Sequence, residues 1–279
     1  MKISLLSDAP KHNLALMKIS AWHKAGGDTV TLNMPIFHAD YTYASVLYDR
    51  NTKRFIADEY GGPVFNNSCL SVEIEQCGPD YSLYPLDFSI GYTFRPCFNS
   101  CGFCKVPKMN HPDVKHHSIQ EFLNPKFKKI CLLNNNTFQD PDWKVTFQEI
   151  WDLDLIVIDE NGYDLRLVDD EKADALKRTK FQGYIHFAWD RIQDEQLILY
   201  GLAIAQKHKL RATVYVLIGY DTTEDQDFYR CQKIIDHGFT PYVMPFRRNK
   251  LLKRFKRFID SFMWRKYKTL KTAYENYHP

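Results

Sequence analysis

A chain of 279 residues with a net charge of +3, 44% hydrophobic and 25% charged, has the composition of a soluble globular protein able to bury a sizeable core. No run of about 18 apolar residues is present, so no membrane-spanning helix is expected. Residues 1–6 are a short apolar run followed by Ser7-Asp8 rather than by a small-residue cleavage site, so no signal peptide is expected either. Seven cysteines, an odd number with three of them clustered, speak against a secreted disulfide framework and for a reducing, cytoplasmic setting.

Residues 1–85 read as a small alternating unit. A buried strand at 2–6 is followed by a helix at 13–24 with Leu14, Leu16, Met17, Ile19 and Trp22 at helical spacing, ended by Ala25-Gly26-Gly27. Strands at 28–32 and 44–48 follow. Strand, helix, strand in succession implies a parallel sheet with a right-handed crossover, a miniature doubly wound fold. Residues 64–88 form a turn-rich connector containing Cys69 and Cys77, too far apart in sequence for a tight metal pair.

From residue 86 the alternation becomes regular. Strands are expected at 88–94, 129–133, 153–158, 184–188, 212–218 and 242–246, with helices at 118–123, 142–151, 169–178, 194–208, 224–237 and 250–277. Six strand-helix units suggest a partial TIM-like barrel over residues 86–248, whose active site belongs at the carboxyl ends of its strands. Residues 249–279 form a basic helical segment: from residue 247 onward there are 11 Lys or Arg against 2 Asp or Glu, while the rest of the chain has 26 against 32. Such a segment suits phosphates, or is a solvated helix face.

The first barrel strand runs into Cys97-Phe98-Asn99-Ser100-Cys101-Gly102-Phe103-Cys104. Three thiols in eight residues are soft ligands suited to an iron-sulfur cluster or zinc, and three protein ligands leave one coordination position open for chemistry. Other readings of the same residues are a zinc knuckle completed by His111, His116 or His117, and three thiols with no metal.

The cysteine spacing, with Phe103 before the last thiol, resembles the cluster loop of the radical S-adenosylmethionine (SAM) superfamily. The resemblance implies a 4Fe-4S cluster on Cys97, Cys101 and Cys104, SAM chelating the fourth iron, and an electron donor of flavodoxin or ferredoxin type. Residues 79–85, 91–107, 161–167, 186–190 and 214–220 extend it to a branch with a short cobalamin-binding-like front domain. There Glu59-Tyr60-Gly61-Gly62-Pro63 looks like the glycine turn that ends such domains. The Asp-x-His-x-x-Gly motif for cobalt is absent from residues 1–85, with His38 the one loop histidine in its place, so cobalamin is not expected.

The same resemblance assigns SAM contacts. Asn135 and Asn136 stand where an acidic pair usually meets the amino group, and amides can still accept from an ammonium. Arg166 is placed to hold the SAM carboxylate by two prongs, with Asp164 orienting it or facing substrate. Asp190 is placed for the ribose or amino group. Gly219 and Asp221 end a strand like the adenine-contacting one, though only the second glycine of its Gly-x-x-x-Gly pattern is present. Pro245-Phe246-Arg247 would lie near SAM or substrate.

Three functions follow as expectations. The first is an enzyme that cleaves SAM reductively to a 5'-deoxyadenosyl radical, which takes hydrogen from a substrate the sequence does not name. The second narrows the substrate to nucleic acid, gripped by Arg247, Arg248, Lys250, Lys253, Arg254, Lys256 and Arg257 with Trp264 or Tyr267 stacking on a base. The third is a metal protein used for binding or sensing.

Overall fold

Alternating apolar residues put Lys2–Ser7 into strand β1, whose Ile3 and Leu5 are fully buried. The computed structural model in which this is seen describes residues 1–9, 11–34, 38–65, 69–109, 114–247 and 249–278. The chain forms two compact units, Met1–Asn135 and Asn136–Pro279.

In the first unit, β1 pairs in parallel with β2 (Thr29–Leu32) on one side and β3 (Tyr41–Ser45) on the other, and β3 pairs with β4 (Glu59–Gly61). The sheet order is β2-β1-β3-β4. Helix α1 (Leu14–Ala25) makes the crossover from β1 to β2, and Asn13 caps it by accepting from Leu16 N–H at 3.1 Å. Leu16 and Ile19 of α1 bury against Ile3 and Leu5, together with Ile74 of the short helix α2 (Val72–Glu75).

Two expectations shift here. The third strand spans Tyr41–Ser45 rather than 44–48, and it ends before the expected residue 48 because Asp8 accepts from the backbone N–H groups of Leu47 and Tyr48 at 2.7 and 3.1 Å and takes them out of the ladder. The Glu59-Tyr60-Gly61 stretch, expected as part of a turn, is a fourth strand, and the turn falls at Gly62 with φ 91°.

Beyond α2 the first unit adds β5 (Ser89–Gly91), paired in parallel with β6 (Lys129–Leu132). β5 stops short of the expected residue 94 because Thr93 and Phe94 N–H donate to the Asn134 side chain instead. The helix expected at 118–123 is a single 3-10 turn, Ile119–Glu121, closed by a Ser118/Glu121 capping box.

In the second unit, α3 (Trp143–Asp152) leads to β7 (Ile156–Ile158). Helix α4 (Asp170–Arg178) follows, and then β8 (Lys180–Phe181), a short strand the pattern did not announce, which pairs in parallel with β7. β9 (Ile185–Ala188), α5 (Glu195–Lys207), β10 (Ala212–Ile218), α6 (Glu224–Asp236) and β11 (Thr240–Pro245) form a parallel sheet ordered β11-β10-β9. Along β10, Ala212, Val214, Val216 and Ile218 are buried in the core while Thr213, Tyr215 and Leu217 on the other face are half-buried.

The helix expected over 250–277 is broken. α7 (Lys250–Asp260) ends where Phe262 turns left-handed (φ 55°), a 3-10 turn Met263–Lys266 follows, and α8 (Leu270–Glu275) closes the unit. The break folds Trp264, Leu270 and Ala273 into the core with Phe255, Phe258 and Ile259, which one straight helix cannot bury together.

Candidate functional site

The cysteine loop leaves the carboxyl end of β5 in the first unit. Cys97, Cys101 and Cys104 are half-buried, and all seven cysteines of the chain are thiols rather than disulfides. Cys104 N–H donates to Cys101 O at 3.0 Å, and Val106 N–H donates to the Cys104 sulfur at 3.4 Å. Phe103 is half-buried beside them. Three soft donors on one loop without regular structure fit an iron-sulfur cluster or zinc in kind. Among the described residues, no three Cys, His, Asp or Glu side chains are already gathered into a metal-holding group. His117 is engaged by Glu121 at 2.9 Å, and His111 lies outside the described residues.

Two asparagines fix the base of that loop. Asn134, almost wholly buried, accepts from Thr93 and Phe94 N–H at 2.9 and 3.1 Å and donates to Thr93 Oγ1 at 2.8 Å. Asn135 donates from Nδ2 to the backbone carbonyl of Arg95 at 2.6 Å. The Asn135 amide nitrogen therefore serves the chain two residues before Cys97.

The second unit brings Asn136, Asp164 and Arg166 together. Asp164 caps the 3-10 turn Leu165–Leu167 and receives a two-pronged contact from Arg166 at 2.8 and 2.7 Å; Asn136 Nδ2 adds a third bond at 2.9 Å. Burial works to raise the Asp164 pKa, but Arg166 and Asn136 outweigh it and hold it below the ordinary carboxylate value. Arg166 also reaches Asp194 at 3.1 Å, and Arg191 grips the same Asp194 at 2.9 and 2.7 Å. The guanidinium expected to face a ligand carboxylate is thus already held by two carboxylates of the chain. Asn136 is buried, and its Oδ1 has no hydrogen-bond partner among the described residues.

Asp190, just past β9, accepts from Leu217 N–H at 3.1 Å. Burial pushes its pKa up against that bond and the fields of Arg230 and Arg166. Gly219 follows β10 at φ 71°, a left-handed conformation that already favours glycine, and a Cβ there would press on the end of the Leu252 side chain on α7. Asp221 is exposed.

Two further clusters at the strand ends escaped the sequence reading. Asp159 follows β7 and accepts from the backbone N–H of His186 and Gly162 at 2.7 and 2.8 Å. The His186 Nδ1 lies 2.6 Å from the Asp159 carbonyl oxygen, which can only accept, so Nδ1 carries a proton. Burial pushes the Asp159 carboxyl up to about 6 against those bonds. His186 stacks on Tyr215 at 5.0 Å, and Tyr215 meets Tyr242 edge-on at 5.4 Å.

The other cluster centres on Arg230, which is fully buried on α6. It donates to the carbonyls of Trp189 and Leu217 at 2.6 and 2.7 Å and to Asp227 at 2.6 Å, tying the end of β10 to the residue just past β9. A strand-end aspartate and a mid-helix arginine carry no spacing motif, so pattern could not single them out.

The basic segment is partly committed. Arg254 donates to Tyr277 O and lies over the Tyr274 ring, and Lys256 pairs with Asp260. Lys250, Lys253 and Arg257 are exposed. Trp264 is buried with its Nε1–H on Ile259 O, which corrects the expectation that it stacks on a base; Tyr267 is exposed, and Arg248 lies outside the described residues. No described helix is long and apolar enough to cross a membrane.

No protein-family profile matches the chain, and no curated protein matches it in sequence.

Proposed function

We propose that the chain is a radical SAM enzyme with a partial TIM-like barrel behind a small Rossmann-like front domain, acting on a substrate still to be found. The observation that carries the reading is the Cys97, Cys101 and Cys104 spacing on a loop that leaves the carboxyl end of a parallel strand, the place where strand-helix folds collect their chemistry. When bound, a 4Fe-4S cluster and SAM supply one electron and a 5'-deoxyadenosyl radical that takes a hydrogen atom from substrate.

The chain's own residues prepare for this. Asn134 and Asn135 fix the segment from Thr93 to Arg95 that feeds the thiol loop. The Val106 N–H, aimed at the Cys104 sulfur, fixes where that sulfur lies on the loop. In the second unit, Asn136, Asp164, Arg166 and Asp190 form a charged, largely desolvated group in which small polar ligand groups meet strong fields. SAM would have to draw Arg166 from Asp164 or use Asn136 Oδ1 and Asp190 instead.

The test is anaerobic purification, reconstitution with iron and sulfide, and addition of SAM and dithionite, with 5'-deoxyadenosine read by mass spectrometry. The product is expected from the native chain and not from the Cys97→Ala/Cys101→Ala/Cys104→Ala variant. Stable zinc binding with no iron-sulfur cluster would overturn the reading and leave a binding or sensing protein.

A further inference from the structure

The first unit contains a cavity of about 360 Å³ that the reading above does not use. Its position follows from the sheet order. From β1 the chain crosses through α1 to β2 on one side and then returns to β3 on the other, so the connections at the carboxyl ends of β1 and β3 diverge. Open parallel sheets bind small molecules in the crevice such divergence leaves. The cavity is lined by Ser45 and Gly61, which end β3 and β4, and by Asn13 at the start of α1.

The floor is built from polar side chains bonded to one another. Asn13 and Ser45 are both more than nine-tenths buried, and Asn13 Nδ2 donates to Ser45 Oγ at 2.8 Å and to Ser7 Oγ at 3.3 Å. The walls are mostly apolar, with Leu14, Leu47, Leu70 and Leu133 among them, and three tyrosines, Tyr43, Tyr60 and Tyr92, complete the lining. A Cβ built on Gly61 meets nothing within 4 Å.

One side of the lining is cationic. Lys18 and Arg95 share a single carboxylate, Glu75, at 3.1 and 2.9 Å, and all three side chains are between 15 and 20% exposed. Burial works to raise the Glu75 pKa, but Arg95 and Lys18 outweigh it, so Glu75 is charged and the trio carries one net positive charge. Cys69 beside it does not balance that charge, because burial raises its thiol pKa. The remaining acid of the lining, Glu59, is exposed to water. Lys18 also donates to the Glu75 carbonyl and Arg95 lies 5.2 Å from the Tyr92 ring centre, but neither contact supplies a full counter-charge, and a half-buried cation without one is costly.

We propose that this cavity binds a small organic anion: an apolar body of one or two aromatic rings against the leucines and tyrosines, and one acidic group on the Lys18 and Arg95 side. The site is independent of the radical reading and needs no iron. The probe is 1-anilinonaphthalene-8-sulfonate, which has two aromatic groups and one charge, titrated by fluorescence into the full chain without metal. Its uncharged relative N-phenyl-1-naphthylamine is titrated in parallel.

The sulfonate is expected to bind one per chain and at least tenfold tighter than the neutral dye. Lys18→Met, which leaves Glu75 its Arg95 partner and so the local fold, weakens the sulfonate about tenfold and the neutral dye little. Gly61→Phe fills the cavity and abolishes both. Equal affinity for the two dyes together with indifference to Lys18→Met overturns the anion assignment. Unchanged sulfonate binding in Gly61→Phe overturns the cavity as the site. The 5'-deoxyadenosine assay can fail or succeed without moving any of these readings.

Discussion

Replacing Arg230 with methionine is the most direct test of how the strand ends of the second unit are held. The side chain is fully buried, and it satisfies two main-chain carbonyls and the Asp227 carboxylate. Methionine keeps much of the stem volume but leaves Asp227 with Thr222 Oγ1 at 2.7 Å as its remaining side-chain donor. Breaking a buried ion pair from one side costs about 3–5 kcal/mol. The Arg230 Nε has no acceptor among the described residues, a standing penalty in the native protein that moves the expected loss toward the lower end, ~3 kcal/mol. With a urea slope of ~2 kcal/mol per M, the midpoint falls by about 1.5 M. The assay is equilibrium unfolding followed by tryptophan fluorescence, to which the buried Trp189 contributes. Removing both charges, Arg230→Met with Asp227→Leu, should recover about half of the loss. A single variant within ~1 kcal/mol of native, or a double variant no better than the single one, refutes the claim that this pair sets the strand ends.

Asp159 makes the stability of the second unit depend on pH. Its folded pKa lies above the ordinary value, so the folded state binds the extra proton, and its contribution is full below 3.8 and is lost as pH rises through about 6. Native minus Asp159→Asn stability should therefore fall by up to ~3 kcal/mol across that window in urea titrations; a flat difference, or one of opposite sign, removes the burial argument. Gly201 in α5 is pressed on the turn that carries Arg166, and a Cβ there would lie 2.2 Å from Leu165 O. Gly201→Ala gains ~1 kcal/mol of helix propensity but should still lower thermal stability by a net ~1–2 kcal/mol through overpacking; a stabilised variant would show that α5 and the turn separate easily.

Periodicity located most of this fold because most of its strands are buried on one face or both. β10 is found at the bounds its Val, Ile and Leu alternation predicts, and the helices over 142–151, 194–208 and 224–237 shift by only one or two residues. Two of the misses have a common physics: a side chain captured the backbone first. Asp8 ends the third strand early, Asn134 shortens β5, and these long-range acceptors leave no local mark in the sequence. β4 and β8 are too short, at three and two residues, for alternation to register. Of the site, the thiol spacing was legible because its chemistry is local. The Asn136, Asp164 and Arg166 group was reached only through a resemblance, and Asp159 and Arg230 are functional candidates only once burial is known.

The amide that shapes the entrance to the thiol loop lies 41 residues after the threonine it holds. A growing polypeptide therefore exposes Cys97, Cys101 and Cys104 before Asn134 has been made. On the metal reading proposed above, metal that met the nascent chain would encounter three thiols on an unshaped peptide, where affinity alone ranks the candidates and zinc outranks ferrous iron. Once β6 and its asparagine have been added, the entry to the loop is fixed and geometry joins the selection. On that reading order of synthesis would be part of metal choice: loading after release would favour the shaped loop, and metal carried over from translation would report on the cell's free pools rather than on the fold.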